Sequence, residues 1–374
     1  MSNAKNLTPG IFADFMVDLC GRSPLATGSQ LNWTIIANPK AGGFTMRSRW
    51  NKHNAQLLSC ASKAMSNPVN PQACPSQTAL AEGDKRGLIL TKARGHAEEI
   101  TRRLIEEASS ANKNSSGKAK PLYLIITAGG DGTSLEVQNV LCRAPAEIRE
   151  RFAVLRLPMG TGNDGADAFE LEEALRRIIE PAEISFRRSV RLVTSTPGKG
   201  PFLAFNILSV GLDAFVTHMT NKMKGTLPGD FYKLWVDIAS LFYDRVYKVG
   251  SMDVRALDDK GNEVSKFREK VLLLAVGESG HRCYGSQNHI LPDDRNVCWI
   301  RQMPLLRKIA LKGLFPTGAH INKPECTLFN ASRVEISGEH PILAQMDGET
   351  VLLQKADYPI AIELSEPVIP VLRL

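Results

Sequence analysis

Long apolar runs are missing from these 374 residues. The longest tight cluster, Val271-Leu272-Leu273-Leu274-Ala275-Val276, has the length of a strand and falls far short of the roughly 18–20 residues that span a bilayer. Met1 to Gly10 holds a single Lys, and Asp14 and Asp18 interrupt the segment behind it, so no secretion leader is expected. Cysteine is sparse and unpatterned. Cys20, Cys60, Cys74, Cys142, Cys283, Cys298 and Cys326 are odd in number and include no C-x-x-C pair. Neither a disulfide framework nor a zinc site is expected, and the reducing cytoplasm is the expected compartment. The seven histidines show no ligand spacing. There is no G-x-x-x-x-G-K-[ST], which excludes a P-loop; no G-x-G-x-x-G opens a helix after the first strand, which disfavours ordinary dinucleotide binding; and protein-kinase signatures are absent.

What is present is a globular composition: 43% hydrophobic residues, with 46 Lys+Arg against 39 Asp+Glu, hence a formal charge of +7. At roughly 100–200 residues per domain, two domains are expected. The mild basicity tolerates anionic partners without choosing among them.

Residues 1–30 read as an N-terminal extension with some helix. From residue 31 a β-then-α rhythm begins. Asn32-Trp33-Thr34-Ile35-Ile36-Ala37 is a strand ending in Asn38-Pro39-Lys40-Ala41-Gly42-Gly43, with a helix predicted from about Arg47 to Met65. Ser66–Gln77, with Pro68, Pro71 and Pro75, reads as a long loop. Gly87–Thr91 is a second strand and Gly95–Ala108 a second helix. Leu122–Thr127 is nearly all apolar, as a buried parallel strand should be, and runs into Ala128-Gly129-Gly130-Asp131-Gly132-Thr133. Phe152–Leu157 runs into Pro158-Met159-Gly160-Thr161-Gly162-Asn163-Asp164, and Phe169–Ile179 is helical. This pattern predicts an α/β domain with a doubly wound parallel sheet over 31–186. Beyond it, Ser189–Thr196, Phe202–Val210, Ser251–Leu257, Lys270–Val276, Val297–Gln302, Arg333–Ser337 and Thr350–Leu353 read as strands, with one strong helix from about Gly229 to Val246. That predicts an antiparallel β-sandwich domain over 187–365, with the tail 366–374 returning to the first domain.

Glycine clusters at the carboxyl ends of parallel strands let backbone approach a phosphate closely, and the following helix offers free N–H groups. One such turn is ordinary turn chemistry. Three on one sheet, at Gly42-Gly43, Gly129–Thr133 and Gly160–Asp164, face a common edge and point to phosphate binding.

Gly129-Gly130-Asp131-Gly132-Thr133 resembles the GGDGT signature shared by diacylglycerol kinases, sphingosine kinases, NAD kinases and phosphofructokinases. Further stretches resemble the lipid kinases: Asn38-Pro39 with Gly42-Gly43; Thr91 followed by Gly95-His96-Ala97; Leu157–Asp164, similar to "LPxGTGND"; Phe205-Asn206 through Gly211-Leu212-Asp213-Ala214; and Asp347-Gly348-Glu349, similar to their late "DGE". The resemblance runs in order from about Trp33 to the C-terminus. It implies an N-terminal αβα domain of the NAD kinase/diacylglycerol kinase kind followed by a β-sandwich, and an ATP- and Mg2+-dependent kinase that phosphorylates a lipid hydroxyl in a cleft between domains. Carried over, Asn38, Pro39, Thr91, Gly129, Gly130, Asp131, Gly132, Thr133, Ser134, Leu135, Gly160, Thr161, Gly162, Asn163 and Asp164 would bind the nucleotide. The bacterial members place the catalytic base at the residue matching Glu349, and sphingosine-kinase-like members at the one matching Asp131. Asp-Gly is also a strong hairpin dipeptide, which by itself would leave Glu349 a solvated turn residue. A structural Mg2+ of the bacterial members would fall on Asp294 with the carbonyls of Leu291 and Asn296, although Arg295 stands where the family has glycine.

The resemblance also implies a lipid substrate met at a membrane surface, a cytoplasmic enzyme touching the membrane peripherally, a homodimer as in many relatives, and no nucleic-acid partner. Two stretches have the composition for lipid contact: Pro304–Phe315, which mixes basic and apolar residues, and Pro228–Val249, rich in aromatics. Two rivals remain, an NAD kinase-like enzyme and a nucleotide-binding regulatory protein without turnover. The acceptor stays open among diacylglycerol, sphingoid bases, ceramide and other long-chain alcohols.

Overall fold

The computed structural model describes residues 6–25, 29–114, 119–160, 162–223, 243, 249–285 and 288–374. The chain divides into a first unit, Met1–Arg187 with Pro367–Leu374, and a second, Arg188–Glu366.

The first unit is built on a seven-stranded sheet: β1 (Leu31–Ala37), β2 (Ala73–Pro75), β3 (Leu88–Leu90), β4 (Leu122–Ala128), β5 (Phe152–Arg156), β6 (Glu183–Arg187) and β20 (Ile369–Arg373). The order is β2-β1-β4-β5-β20-β6, with β3 also paired to β1; all are parallel except the β20–β6 pair. Side chains alternate between two cores. Trp33, Ile35, Leu124, Ile126, Ala153 and Leu155 meet helices Pro9–Gly21, Arg47–Ala64 and Leu171–Ile179 on one face. Ile36, Tyr123, Ile125, Phe152 and Val154 meet helices His96–Asn114 and Asp131–Leu141 on the other. Burial on both faces is why these strands are apolar without alternation. Helix Pro9–Gly21 starts where Thr8 caps it and proline occupies its first turn.

One expectation changes here. The Ser66–Gln77 loop contains β2, which pairs in parallel with Leu31–Trp33 at the sheet edge, where a proline costs no ladder bond. The C-terminal stretch divides: β19 (Ile360–Leu364) belongs to the second unit and β20 to the first.

The second unit carries an antiparallel eleven-stranded assembly. Its strands are β7 (Val190–Val193), β8 (Phe202–Ala204), β9 (Ile207–Gly211), β10 (Ser251–Leu257), β11 (Glu263–Gly277), β14 (Val297–Arg301), β15 (Cys326–Phe329), β16 (Arg333–Ser337), β17 (Ile342–Met346), β18 (Glu349–Leu353) and β19, with a separate hairpin of β12 (Arg282–Tyr284) and β13 (Asn288–Leu291). β11 spans two layers. Its first half pairs with β10, and its second half with β9 and β14. Val254, Val334, Ile336 and Ile362 of one layer thereby face Val210, Leu274, Trp299 and Ala344 of the other in one core. On the outer face of the β9–β11–β14 layer, helices Leu212–Met223 and Leu305–Lys312 pack against Leu273, Ala275 and Ile300.

The expected strand Phe202–Val210 is two strands. The Asp347 carboxylate accepts the N–H groups of Phe205, Asn206 and Ile207 and breaks the ladder between β8 and β9. Helix Leu212–Met223 follows β9 directly and was not expected. The expected helix from Gly229 to Val246, and the aromatic stretch around it, fall almost wholly outside the described residues.

Candidate active site

In the first unit the three glycine turns meet. The Gly43 amide donates to the Met159 carbonyl at 2.8 Å, and a Cβ on Gly43 would fall 2.6 Å from the Met159 methyl. A Cβ on Gly160 would fall 2.6 Å from the Cα of Gly130. Arg49 donates to the Gly160 carbonyl. Asn38, followed by Pro39, ties the first turn to the end of β4: its amide donates to Ala128 O at 3.0 Å, and its side chain accepts from Lys40 N. Thr91, just past β3, donates its amide to Ala37 O, which brings it to the same sheet edge. No side chain caps helix Asp131–Leu141.

Asp131 accepts from Gly165 N at 2.9 Å. Oδ2 of Asp131 and Oδ2 of Asp164 each lie 3.3 Å from where a Cβ of Gly162 would be, so two carboxylates from separate motifs flank one glycine. Asn163 adopts a left-handed φ of 63°, a conformation asparagine accepts more readily than most residues. Thr161 lies outside the described residues. Thr133 packs on Gly129, Ser134 exchanges a buried hydrogen bond with Thr127, and Leu135 is buried, so these three side chains anchor the helix to the strand.

Three residues that sequence reasoning passed over hold these turns. Glu136 accepts from the amides of Gly95 and Ala97, fixing the Thr91–Ala97 segment. Arg156 and Asp167 form a buried ion pair, 2.7 Å at its shortest, and Asp167 also accepts from Arg156 N. That pair fastens the loop after Gly160 to β5. An acid and a base eleven residues apart carry no signal of such pairing.

In the second unit, Asp347 and Gly348 make a two-residue hairpin turn between β17 and β18, with φ of 46° and 99°. Glu349 is the first residue of β18. The turn is braced rather than loose. Gly348 donates to the Gln345 side-chain oxygen at 3.1 Å, and the Gly348 carbonyl accepts from Asn221 at 2.8 Å. The other end of the buried Gln345 amide donates to Ser209 Oγ at 3.0 Å and to Asp213 at 3.3 Å, and Ser209 donates to Asp213 at 2.6 Å. Gln345 therefore links Asp213, in the Gly211–Ala214 motif, to the turn that presents Glu349.

Asp213 also lines a cavity of about 360 Å³. Leu212, Val216, Leu272, Leu273, Ile300 and Leu311 make its walls apolar, and Lys308 and Lys312 contribute its cationic groups.

The segment expected to hold a structural Mg2+ does not fit one. Arg295 grips Asp293 through both Nε and a terminal nitrogen, and Asp293 is held below its ordinary range by those hydrogen bonds. Asp294 is 97% exposed and meets His281 at 2.9 Å. The Asn296 side chain donates to Gly277 and Ala331 carbonyls and accepts from Ala331 N, and its own carbonyl accepts from Gly277 N. A tight octahedron of oxygens has no place beside that guanidinium. Among the described residues there is no cluster of three His, Cys, Asp or Glu side chains suited to a metal.

Glycine turns packed together at the carboxyl edge of a parallel sheet define an α/β protein of the doubly wound kind. Residues 32–194 match the family model of the diacylglycerol kinase catalytic domain. No curated protein matches the chain. A solved structure of a candidate diacylglycerol kinase from Bacillus anthracis str. Sterne aligns with 92% of this chain and 98% of its own at 19% identity and a TM-score of 0.55. A second candidate diacylglycerol kinase structure from the same organism covers 91% and 96% at 18% identity and a TM-score of 0.55. At such identities the likeness establishes the fold: an αβα unit and an antiparallel β-rich unit.

Proposed function

We propose that this protein transfers the γ-phosphoryl group of ATP to a hydroxyl of a long-chain lipid. The glycine turns of the first unit bind the triphosphate through backbone N–H groups. Asp131 and Asp164, whose carboxylates flank Gly162, would hold a divalent cation carried with it, which when bound would neutralise phosphate charge. Glu349 takes the proton of the acceptor hydroxyl, whose oxygen attacks the γ-phosphorus as the bond to the β-phosphate oxygen breaks and ADP leaves. Asp213 orients the polar end of the lipid, and Gln345 keeps Glu349 in register with it.

The observation that carries the lipid acceptor is the apolar cavity of the second unit, whose lining includes the same Asp213 that Gln345 ties to the Glu349 turn. A soluble adenosine-type acceptor has no use for such walls. The test is a transfer assay with labelled ATP, offering a total lipid extract in micelles and, separately, NAD, with mass spectrometry of the products. A phosphorylated lipid is expected, falling at least about a hundredfold in Asp131→Asn and Glu349→Gln. Transfer to NAD alone, or undiminished lipid transfer in both variants, would overturn the proposal.

A further inference from the structure

Helix Leu305–Lys312 is amphipathic the wrong way round for a protein in water. Only Lys308 and Leu311 are buried in the unit, Lys308 at 6% exposure, while Leu306 is 79% exposed, Ile309 48% and Leu305 39%. A surface helix ordinarily buries its apolar side chains and shows its charges. Here the outward stripe is leucine and isoleucine, and a lysine faces the cavity wall.

The charge carried by the segment itself has one sign. From Arg301 to Pro324 there are five Lys+Arg (Arg301, Arg307, Lys308, Lys312 and Lys323) and no Asp or Glu. Arg307 is paired with Glu325 and Arg301 with Glu269, just beyond or across from this stretch. Lys312 and Lys323 are exposed beside the apolar stripe. The same helix forms one wall of the apolar cavity through Lys308, Leu311 and Lys312.

We propose that helix Leu305–Lys312 is the docking surface of this protein for an anionic lipid bilayer. Leu305, Leu306 and Ile309 enter the boundary between headgroups and acyl chains, Lys312 and Lys323 meet anionic headgroups, and the cavity wall lies directly behind the docked helix. The exposed Lys312 and Lys323 beside the apolar stripe favour an anionic bilayer over a second copy of this chain, which would bring like charges together around the seam. Burying outward leucines pulls the helix into the interface, and the lysines make that pull dependent on lipid charge and salt. The inference rests on the lipid-acceptor reading for its purpose, but its geometry stands without the kinase chemistry.

The experiment is flotation of the full chain with vesicles of phosphatidylglycerol and phosphatidylcholine, without ATP, beside vesicles of phosphatidylcholine alone. Binding to the anionic vesicles is expected, weakened in 0.5 M salt because the Debye length shrinks to a few ångströms, roughly 4 Å. Leu306→Glu with Ile309→Glu should lower it by roughly tenfold or more, with the melting temperature and micellar kinase activity unchanged, since both side chains point into water. Leu306→Trp should instead strengthen binding and blue-shift the indole emission on anionic vesicles. Equal vesicle binding by the wild type and the double-glutamate variant, a Leu306→Trp emission that ignores vesicles, or a wild-type dimer that the double variant splits into monomers would each overturn the proposal. Because no turnover is measured in flotation, its failure is separate from a failure of the kinase reading.

Discussion

Gly160 and Gly132 separate what a glycine does for folding from what it does for a ligand. A methyl group on Gly160 would meet the Cα of Gly130 at 2.6 Å, and backbone on both sides leaves nothing to yield. Gly160→Ala is expected to destabilise the protein by about 1–3 kcal/mol, seen as a lower melting temperature. Nothing lies within 4 Å of a Cβ on Gly132, which sits in the first turn of helix Asp131–Leu141. Gly132→Ala should keep or slightly raise stability through better helix propensity. On the proposed function it should nevertheless weaken ATP binding several-fold, because the new methyl would occupy open space that the proposal gives to a phosphate. Isothermal titration beside thermal melting reads both; equal effects of the two variants would refute the assignment. Gln345 is a second residue-scale case. Gln345→Met keeps the volume but removes the bonds to Asp213 and Gly348, so kcat should fall roughly tenfold or more while KM for ATP holds.

At the scale of elements, two clamps fix loops that the strands alone leave undetermined. The Arg156–Asp167 pair joins the loop after Gly160 to β5. Removing one partner from so buried a pair leaves an uncompensated charge, and Asp167→Ala is expected to cost roughly 3–5 kcal/mol, read by denaturant unfolding. The other clamp holds the turn between β18 and β19. Burial pushes the Asp357 carboxyl up, but hydrogen bonds from Lys199, Thr196 and the Gln354 amide outweigh that and bring its pKa down to about 2. A folded-state pKa below the ordinary carboxylate value of roughly 3.9 means that this group stabilises the fold above that pH and loses its contribution as pH falls through about 2. Asp357→Asn should therefore lower the melting temperature at neutral pH and flatten its decline between about pH 4 and 2. A parallel decline in wild type and variant would refute the clamp.

At the scale of the whole molecule, the chain leaves the first unit after Arg187 and re-enters it at Pro367. β20 then lies between β5 and β6, so the last residues complete the interior of the sheet that begins at residue 31. Truncation after Glu366 removes an interior strand. It should abolish ATP binding and the unfolding transition of the first unit while leaving that of the second, whose core holds no residue beyond 366. A single unchanged transition in calorimetry would refute this.

The αβα layering was legible in the amino acids because a strand covered on both faces must be apolar throughout, and β4 and β5 are. The glycine turns were legible because few other residues let backbone pack so closely. The short strands of the second unit were harder to read: β8 and β9 look like one run until Asp347, some 140 positions away, takes the amides between them. β2 hides among prolines that an edge strand tolerates. The sequence by itself determined which residue types stand at the strand ends and which segments seek burial. Only tertiary structure decided that three glycine turns touch, that Gln345 connects Asp213 to the Glu349 turn, that Arg295 closes the expected metal segment, and that Leu306 faces water while Lys308 does not. Periodicity and turn chemistry act between near neighbours, whereas these contacts join residues whose separation in the chain carries no local signal.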